Sequence, residues 1–280
     1  MSNPTVGILH PGQMGVSVAA SARQSGCTVI WAGDGRSPAT HARAAEHGLT
    51  DVGNVAEVCR RAEIILSVCP PHAAEEVAAE VIDAGFHGVY LDANAIAPQR
   101  AQAIGQRLAT TGVSLVDGGI IGGPAWKPNA TWLYLSGPQA ATVAACFADG
   151  LLETEIIGDE IGKASALKMC FAAYTKGSTA LLSAVVGAAE SLGVMDELMA
   201  QWSRGGSSFA TDAERRVREV TAKAWRFAGE MEEIAATFDA AGMPGGFHLA
   251  AADVYRRMTG FKDAPSTPDL DAVLTALQSR

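Results

Sequence analysis

The first residues with the spacing to do chemistry lie in Val6-Gly7-Ile8-Leu9-His10-Pro11-Gly12-Gln13-Met14-Gly15. In a G-x-G-x-x-G turn the glycines allow a tight bend, a close approach of the backbone to a pyrophosphate, and close packing of helix on strand. Gly12 and Gly15 fill the second and third of those positions, and His10 stands at the first. A strand ending near Leu9 and a helical pattern from Met14 to Ser25 would aim free N–H groups at a phosphate. His10, Pro11, Gly12, Gln13 and Met14 are therefore the expected dinucleotide-binding residues. The plainer alternative is a structural glycine turn with a core histidine, and the strand, turn, helix and second strand in succession weigh against it.

The cofactor's identity turns on the end of the second strand. NAD binders place an Asp or Glu there for the ribose hydroxyls, but this chain has Ala32, followed by Gly33-Asp34-Gly35-Arg36-Ser37. Arg36 could grip a 2′-phosphate by paired charge-assisted hydrogen bonds and Ser37 could add a hydroxyl. That combination points to NADP (NADPH) rather than NAD. Ser37-Pro38 is equally an N-cap followed by a first-turn proline. Further on, Ser67-Val68-Cys69-Pro70-Pro71-His72 ends the third expected strand, where Cys69 and Pro70 would touch the cofactor. Cys69 has no identifiable catalytic partner beside it and reads as packing rather than a nucleophile.

Positioning these residues takes an alternation of strands and helices. Apolar runs at Val6–Leu9, Thr28–Trp31, Ile64–Val68, Val89–Leu91, Leu115–Val116, Trp132–Leu135 and Ile156–Ile157 alternate with helical patterns as far as about Gly158, the signature of a mostly parallel sheet with crossover helices. From Lys163 the spacing becomes helical throughout, over 163–192, 211–241, 247–258 and 269–278. The expected architecture is an α/β N-terminal domain, residues 1–160, with a doubly wound parallel sheet, and an all-helical C-terminal domain, residues 161–280, for substrate and dimerisation.

Composition bounds the function classes. A chain of 280 residues suits two domains, and 48% hydrophobic with 18% charged residues describes a packed globular protein. A formal net charge of −9 with no basic stripe excludes a nucleic-acid binder. The apolar stretch 164–189 is interrupted by Lys168, Lys176 and several hydroxyl residues, so a buried helix is expected rather than a membrane span. The first residues lack the basic and apolar regions of a signal peptide, and a cytoplasmic location follows as an expectation. The five cysteines are scattered and the six histidines do not cluster with acids at ligand spacing, so thiols are expected reduced and no metal is expected.

Four segments together carry a family resemblance: Gly7 to Gly15; Asp92-Ala93-Asn94-Ala95-Ile96-Ala97-Pro98, like D-x-S-T-x-x-P; Asp117-Gly118-Gly119-Ile120-Ile121-Gly122-Gly123, like D-x-x-V-S-G-G; and Gly162 to Lys168, like G-x-G-x-x-x-K. The chain resembles the β-hydroxyacid dehydrogenase and 6-phosphogluconate dehydrogenase superfamily. The resemblance implies a Rossmann domain, a small-molecule substrate and a homodimer, with Lys168 as the general acid or base. The chemistry asks for a proton donor at a carbonyl oxygen, and a lysine desolvated in a cleft can titrate nearer neutrality. The alternative for Lys168 is a snorkelling side chain, with Lys163 and Lys176 on the same segment. Lys176 lies two turns on, rotated by about 80° on a 3.6-residue helix, and is expected to avoid the cleft.

The chain also departs from the family pattern. Ala164 stands at the second glycine, Ile121 replaces the serine that would help hold a substrate carboxylate, and Ala172 replaces the asparagine one turn after the lysine. Asn94, at the family's serine position, could orient substrate or touch the nicotinamide, or simply stabilise a turn. Gly122 and Gly123 could let backbone approach substrate, with Trp126 on the following loop.

Residues Trp225 to Tyr255 look like the C-terminal domain of phosphogluconate-dehydrogenase-like proteins of unassigned function, with Gly229 and Glu230 at the family's K-D motif. Glu230 and Glu233 share a helix face and His248 follows a Gly-rich bend, so one of them could enter the pocket as a polar specificity group, with solvated helix charges the favoured reading; Met231, Phe238 and Phe247 suit either a core or an apolar substrate wall. Three readings follow: a carbonyl/alcohol dehydrogenase or reductase, an NADPH-dependent imine reductase, and a non-catalytic NADP sensor. The missing serine and asparagine point toward an apolar substrate.

Overall fold

The computed structural model describes residues 3–279. The chain divides into two compact units, Met1–Met169 and Cys170–Arg280, and the division falls inside one long helix.

The first unit runs β1 (Thr5–Ile8), α1 (Gln13–Gln24), β2 (Thr28–Trp31), α2 (Pro38–Glu46), β3 (Thr50–Asp51), α3 (Val55–Arg61), β4 (Ile64–Ser67), α4 (Ala74–Asp83), β5 (Val89–Asp92), α5 (Pro98–Ala109), β6 (Ser114–Gly122), β7 (Thr131–Ser136), α6 (Ala140–Ala145) and β8 (Glu153–Gly158), then enters α7 (Lys163–Ser191). The strands form one sheet in the order β3-β2-β1-β4-β5-β6-β7-β8. Every pairing is parallel except β6 with β7. The order reverses at β1, which opens a crevice beyond the strand ends where ligands bind in such sheets. Central strands are apolar on both faces because helices cover both. Ile64 and Leu66 of β4 join one core cluster with Val6, Ile8, Leu91 and Val116, while Ile65 joins the opposite cluster with Ile30, Tyr90 and Leu115.

Two strands differ from the sequence expectation. The two residues of β3 are exposed and carry no apolar alternation, so nothing in the sequence marks them. β6 continues through Gly118 and Gly119 to Gly122 and folds back as the antiparallel strand β7.

The second unit is helical: the remainder of α7, then α8 (Met195–Trp202), α9 (Phe209–Glu219), α10 (Thr221–Ala240), α11 (Gly246–Arg257) and α12 (Leu270–Gln278). Its core contains Val186, Val217, Met231, Ile234, Tyr255 and Val273. The single pattern expected over 211–241 is two helices meeting at Val220, where no glycine or proline announces a break. The helix α8 was not expected at all. By length and composition α7 could cross a membrane, with a mean hydropathy of 1.2 over its most apolar window. Its two interior lysines are both engaged with protein partners.

Candidate active site

The dinucleotide turn has the geometry its sequence implies. Gly12 N–H donates to the His10 carbonyl at 2.8 Å, closing the bend between β1 and α1. A side chain at Gly15 would collide with that same carbonyl, so close packing of α1 on the strand requires glycine there. The space over Gly12 is open for 4 Å where a Cβ would stand. His10 Nδ1 and Arg36 Nε are both buried and have no hydrogen-bond partner among the described residues. Burial, and next the charge of Arg36, push the His10 imidazole down to about 4, so His10 is neutral near pH 7. Open space over a helix N-terminus, with an unpartnered imidazole nitrogen of His10 and an unpartnered guanidinium nitrogen of Arg36 in the same region, fits a phosphate-bearing dinucleotide.

The loop after β2 is held from below. Asp51 Oδ1 accepts N–H bonds from Gly33 at 3.1 Å and Gly53 at 2.9 Å, and His41 Nε2 meets the Gly33 carbonyl at 3.0 Å. An acid therefore does lie beside the end of β2, supplied by β3, and it is engaged with loop amides. Sequence reading missed it because the two strands are separated by a helix. Ser37 caps α2, its hydroxyl accepting the Thr40 N–H at 3.3 Å. Arg43, also missed, reaches back from α2 to the Pro11 carbonyl at 3.1 Å.

At the ends of β4 and β5 Asn94 holds a turn, the second of its two expected roles. Its side chain is buried, with Oδ1 accepting the Cys69 N–H at 2.6 Å and Nδ2 donating to Ser67 Oγ at 3.0 Å. Each end of the amide makes one of these bonds, and together they hold the Cys69–Pro70 turn. Burial, and next the Asp92 charge, push the Cys69 thiol up to about 11, which keeps it protonated. Asp92 Oδ1 accepts the Asn94 N–H at 2.9 Å, while Oδ2 has no partner among the described residues. Burial is the main cause that raises Asp92 to about 7.

Lys168 sits on the second turn of α7, half-buried, with Nζ donating to the Ile120 carbonyl of β6. Gly119 makes this approach possible, because a Cβ there would stand 2.6 Å from the Ala164 carbonyl and 3.2 Å from Lys168 Cβ. Asp117 holds the start of the helix. Its Oδ2 accepts from Gly162 N at 2.9 Å, Ser165 N at 3.0 Å and Ser136 Oγ at 3.1 Å, and its Oδ1 from Ser165 Oγ at 2.5 Å. A carboxylate at a helix N-terminus satisfies orphan N–H groups and opposes the helix dipole. The ammonium thus meets β6 at Ile120, next in sequence to the half-buried Ile121 and the exposed Gly122 that end the strand.

The comparisons with known proteins bear on the family and the fold. Residues 5–148 match the NAD binding domain of 6-phosphogluconate dehydrogenase, over half of the chain, and residues 189–258 match a domain of unknown function, DUF1932. The chain belongs to the 6-phosphogluconate dehydrogenase-like family, by its NAD binding domain. An uncharacterized 28.5 kDa protein of Methanothermus fervidus is 30% identical over 165 residues, which span 59% of this chain and 63% of that protein. The conserved protein MTH1747 of unknown function, described as structurally similar to 3-hydroxyacid dehydrogenases, has 26% identity and a TM-score of 0.66 over 91% of this chain and 97% of its own. A 3-hydroxyisobutyrate dehydrogenase of Mycobacterium tuberculosis with L-serine shares the fold, with 17% identity and a TM-score of 0.69 over 99% and 100% of the two chains.

In this member of the 6-phosphogluconate dehydrogenase-like family the remaining expected site residues fall into two groups. In the first unit, Trp126 is exposed and stacks on His47 with ring centroids 4.6 Å apart. In the second unit, Ala172 and Met231 are core residues. His248 is buried between the rings of Phe238 and Phe247, at 4.3 and 5.3 Å. Glu230 corrects the sequence expectation: it is buried, paired with Lys176 and with Arg226 Nε at 3.2 Å. Helical spacing within each segment could not reveal an ion pair between α7 and α10, which only tertiary packing creates.

Proposed function

We propose that this chain is an NADP-dependent oxidoreductase interconverting a carbonyl and an alcohol on a small substrate, with Lys168 exchanging the proton at the substrate oxygen. The observation that carries the reading is Lys168, anchored by α7 with its ammonium at the Ile120 carbonyl beside the Ile121–Gly123 strand end. The nicotinamide ring, when bound, supplies or accepts the hydride. The His10–Met14 turn and the α1 N-terminus would hold the pyrophosphate. Arg36, with Ala32 in place of an acid, would hold the 2′-phosphate, which favours NADPH over NADH. Ile121, where the family pattern has a serine, offers a substrate no hydrogen-bonding side chain, so the preferred substrate is more apolar than a small hydroxycarboxylate.

We also infer a homodimer built on α7. Phe171, Tyr174, Leu181, Val185 and Leu192 are exposed along it at spacings of three, four and seven, a seam that a second copy would cover. The five cysteines are free thiols, which suits a reducing cytoplasm.

The test is NADPH oxidation, followed against panels of keto acids, aldehydes and cyclic imines, with NADH in parallel. Turnover of carbonyl compounds with preference for NADPH is expected. Turnover of imines alone would reassign the enzyme to C=N reduction. Tight NADPH binding with silence across all panels would make it a sensor.

A further inference from the structure

Ser17 lies on the second turn of α1 and is fully buried. Its hydroxyl donates to the Met14 carbonyl at 2.8 Å and accepts the backbone N–H of Ala125 at 3.0 Å. Met14 belongs to the dinucleotide turn, while Ala125 belongs to the loop that joins β6 to β7 and follows directly on Gly122 and Gly123. One hydroxyl thus ties the two together across 108 residues of sequence. A second link runs through α2: Arg43 holds the Pro11 carbonyl, and one turn later His47 stacks on Trp126. The loop's two ends are pinned to each other by Thr131 Oγ1, which donates to the Gly123 carbonyl at 2.7 Å.

We propose that Ser17 is a positioning residue that couples the dinucleotide turn to the 123–130 loop, so that cofactor bound at the turn orders the loop bordering the substrate position. The proposal rests on the dinucleotide reading above. Phosphate oxygens accepting the first N–H groups of α1 fix the helix start. Ser17 carries that restraint to the Ala125 amide through a fully buried hydrogen bond, which a low local dielectric strengthens. By reciprocity, a loosened loop weakens cofactor binding by the same factor.

Hydrogen exchange of the full-length protein, read on peptides spanning 123–131 with and without NADPH, tests this beside calorimetric NADPH binding. In the natural protein NADPH should slow exchange in the loop. Ser17→Ala should still bind NADPH, but roughly three- to tenfold more weakly, the weight of one hydrogen bond, and should lose most of the loop protection. Its substrate KM should rise by a similar factor with little change in kcat, a split that general destabilisation would not produce. Should Ser17→Ala fail to fold, Trp126→Ala removes the second link at an exposed ring and should halve the response or more. Bound NADPH that leaves loop exchange unchanged, or full protection in the variants, overturns the coupling while the cofactor reading stands. Absence of NADPH binding in the natural protein overturns both.

Discussion

Asp117 accepts the Ser165 hydroxyl at 2.5 Å and the Ser165 backbone N–H at 3.0 Å, which ties the middle of β6 to α7 one turn before Lys168. The carboxylate has four donors around it and no role for a donor of its own. Burial raises its affinity for a proton, and the hydrogen bonds from Ser165, Ser136 and Gly162 oppose that shift.

Asp117→Asn should therefore be costly, since its amide N–H₂ would face at least one of those donors. Loss of roughly 2–4 kcal/mol of stability is expected, since a buried charged acceptor is replaced by a mismatched group. Lys168 should also lose its fixed place, lowering kcat more than it changes cofactor affinity. Thermal unfolding and steady-state kinetics measure both, and a variant with natural stability and kcat would contradict the anchoring role.

Asp92 predicts a pH dependence with a definite sign. Its folded pKa of about 7 lies above the unfolded 3.8, so the folded state binds more protons between these values. Its contribution to stability is fully present below about pH 4 and is lost as pH rises to 7. Asp92→Asn should raise the melting temperature at pH 8, and the gain should shrink toward pH 4. Parallel melting curves for the two proteins across that range would rule out the buried, half-partnered carboxylate as their cause. His10 works in the opposite direction, its folded pKa of about 4 lying below the unfolded 6.5. Its contribution is present above 6.5 and is lost as pH falls to 4, equally in both proteins.

Arg36 carries the cofactor preference. Arg36→Ala should weaken NADPH binding by about 10- to 100-fold, the range of one or two charge-assisted hydrogen bonds, and leave NADH binding nearly unchanged. Calorimetry with both cofactors decides it. An equal loss for both would move Arg36 from 2′-phosphate recognition to general support of the turn.

Much of the fold was legible because local pattern carries it. The apolar runs of β1, β2, β4 and β5 and the turn from His10 to Gly15 announce a parallel sheet and its phosphate-binding end without tertiary information. The site was less legible where function depends on partners distant in the chain. Asn94 could be read from its motif as a substrate or a turn residue, and only its bonds to Cys69 and Ser67 show the turn it holds. Glu230 looked solvated by its place on a helix, yet Lys176 from another helix buries with it. Asp51 left no trace, because an exposed two-residue strand has no periodicity to read.

The central claim concerns Lys168, and Lys168→Met removes its charge while keeping its length. NADPH-dependent turnover of the best substrate from the panels should fall by about 10²–10⁴-fold, the usual contribution of a general acid or base. NADPH affinity, measured by calorimetry on the same protein, should be unchanged. Turnover that survives this substitution with bound cofactor would contradict the assignment of Lys168 as the proton donor.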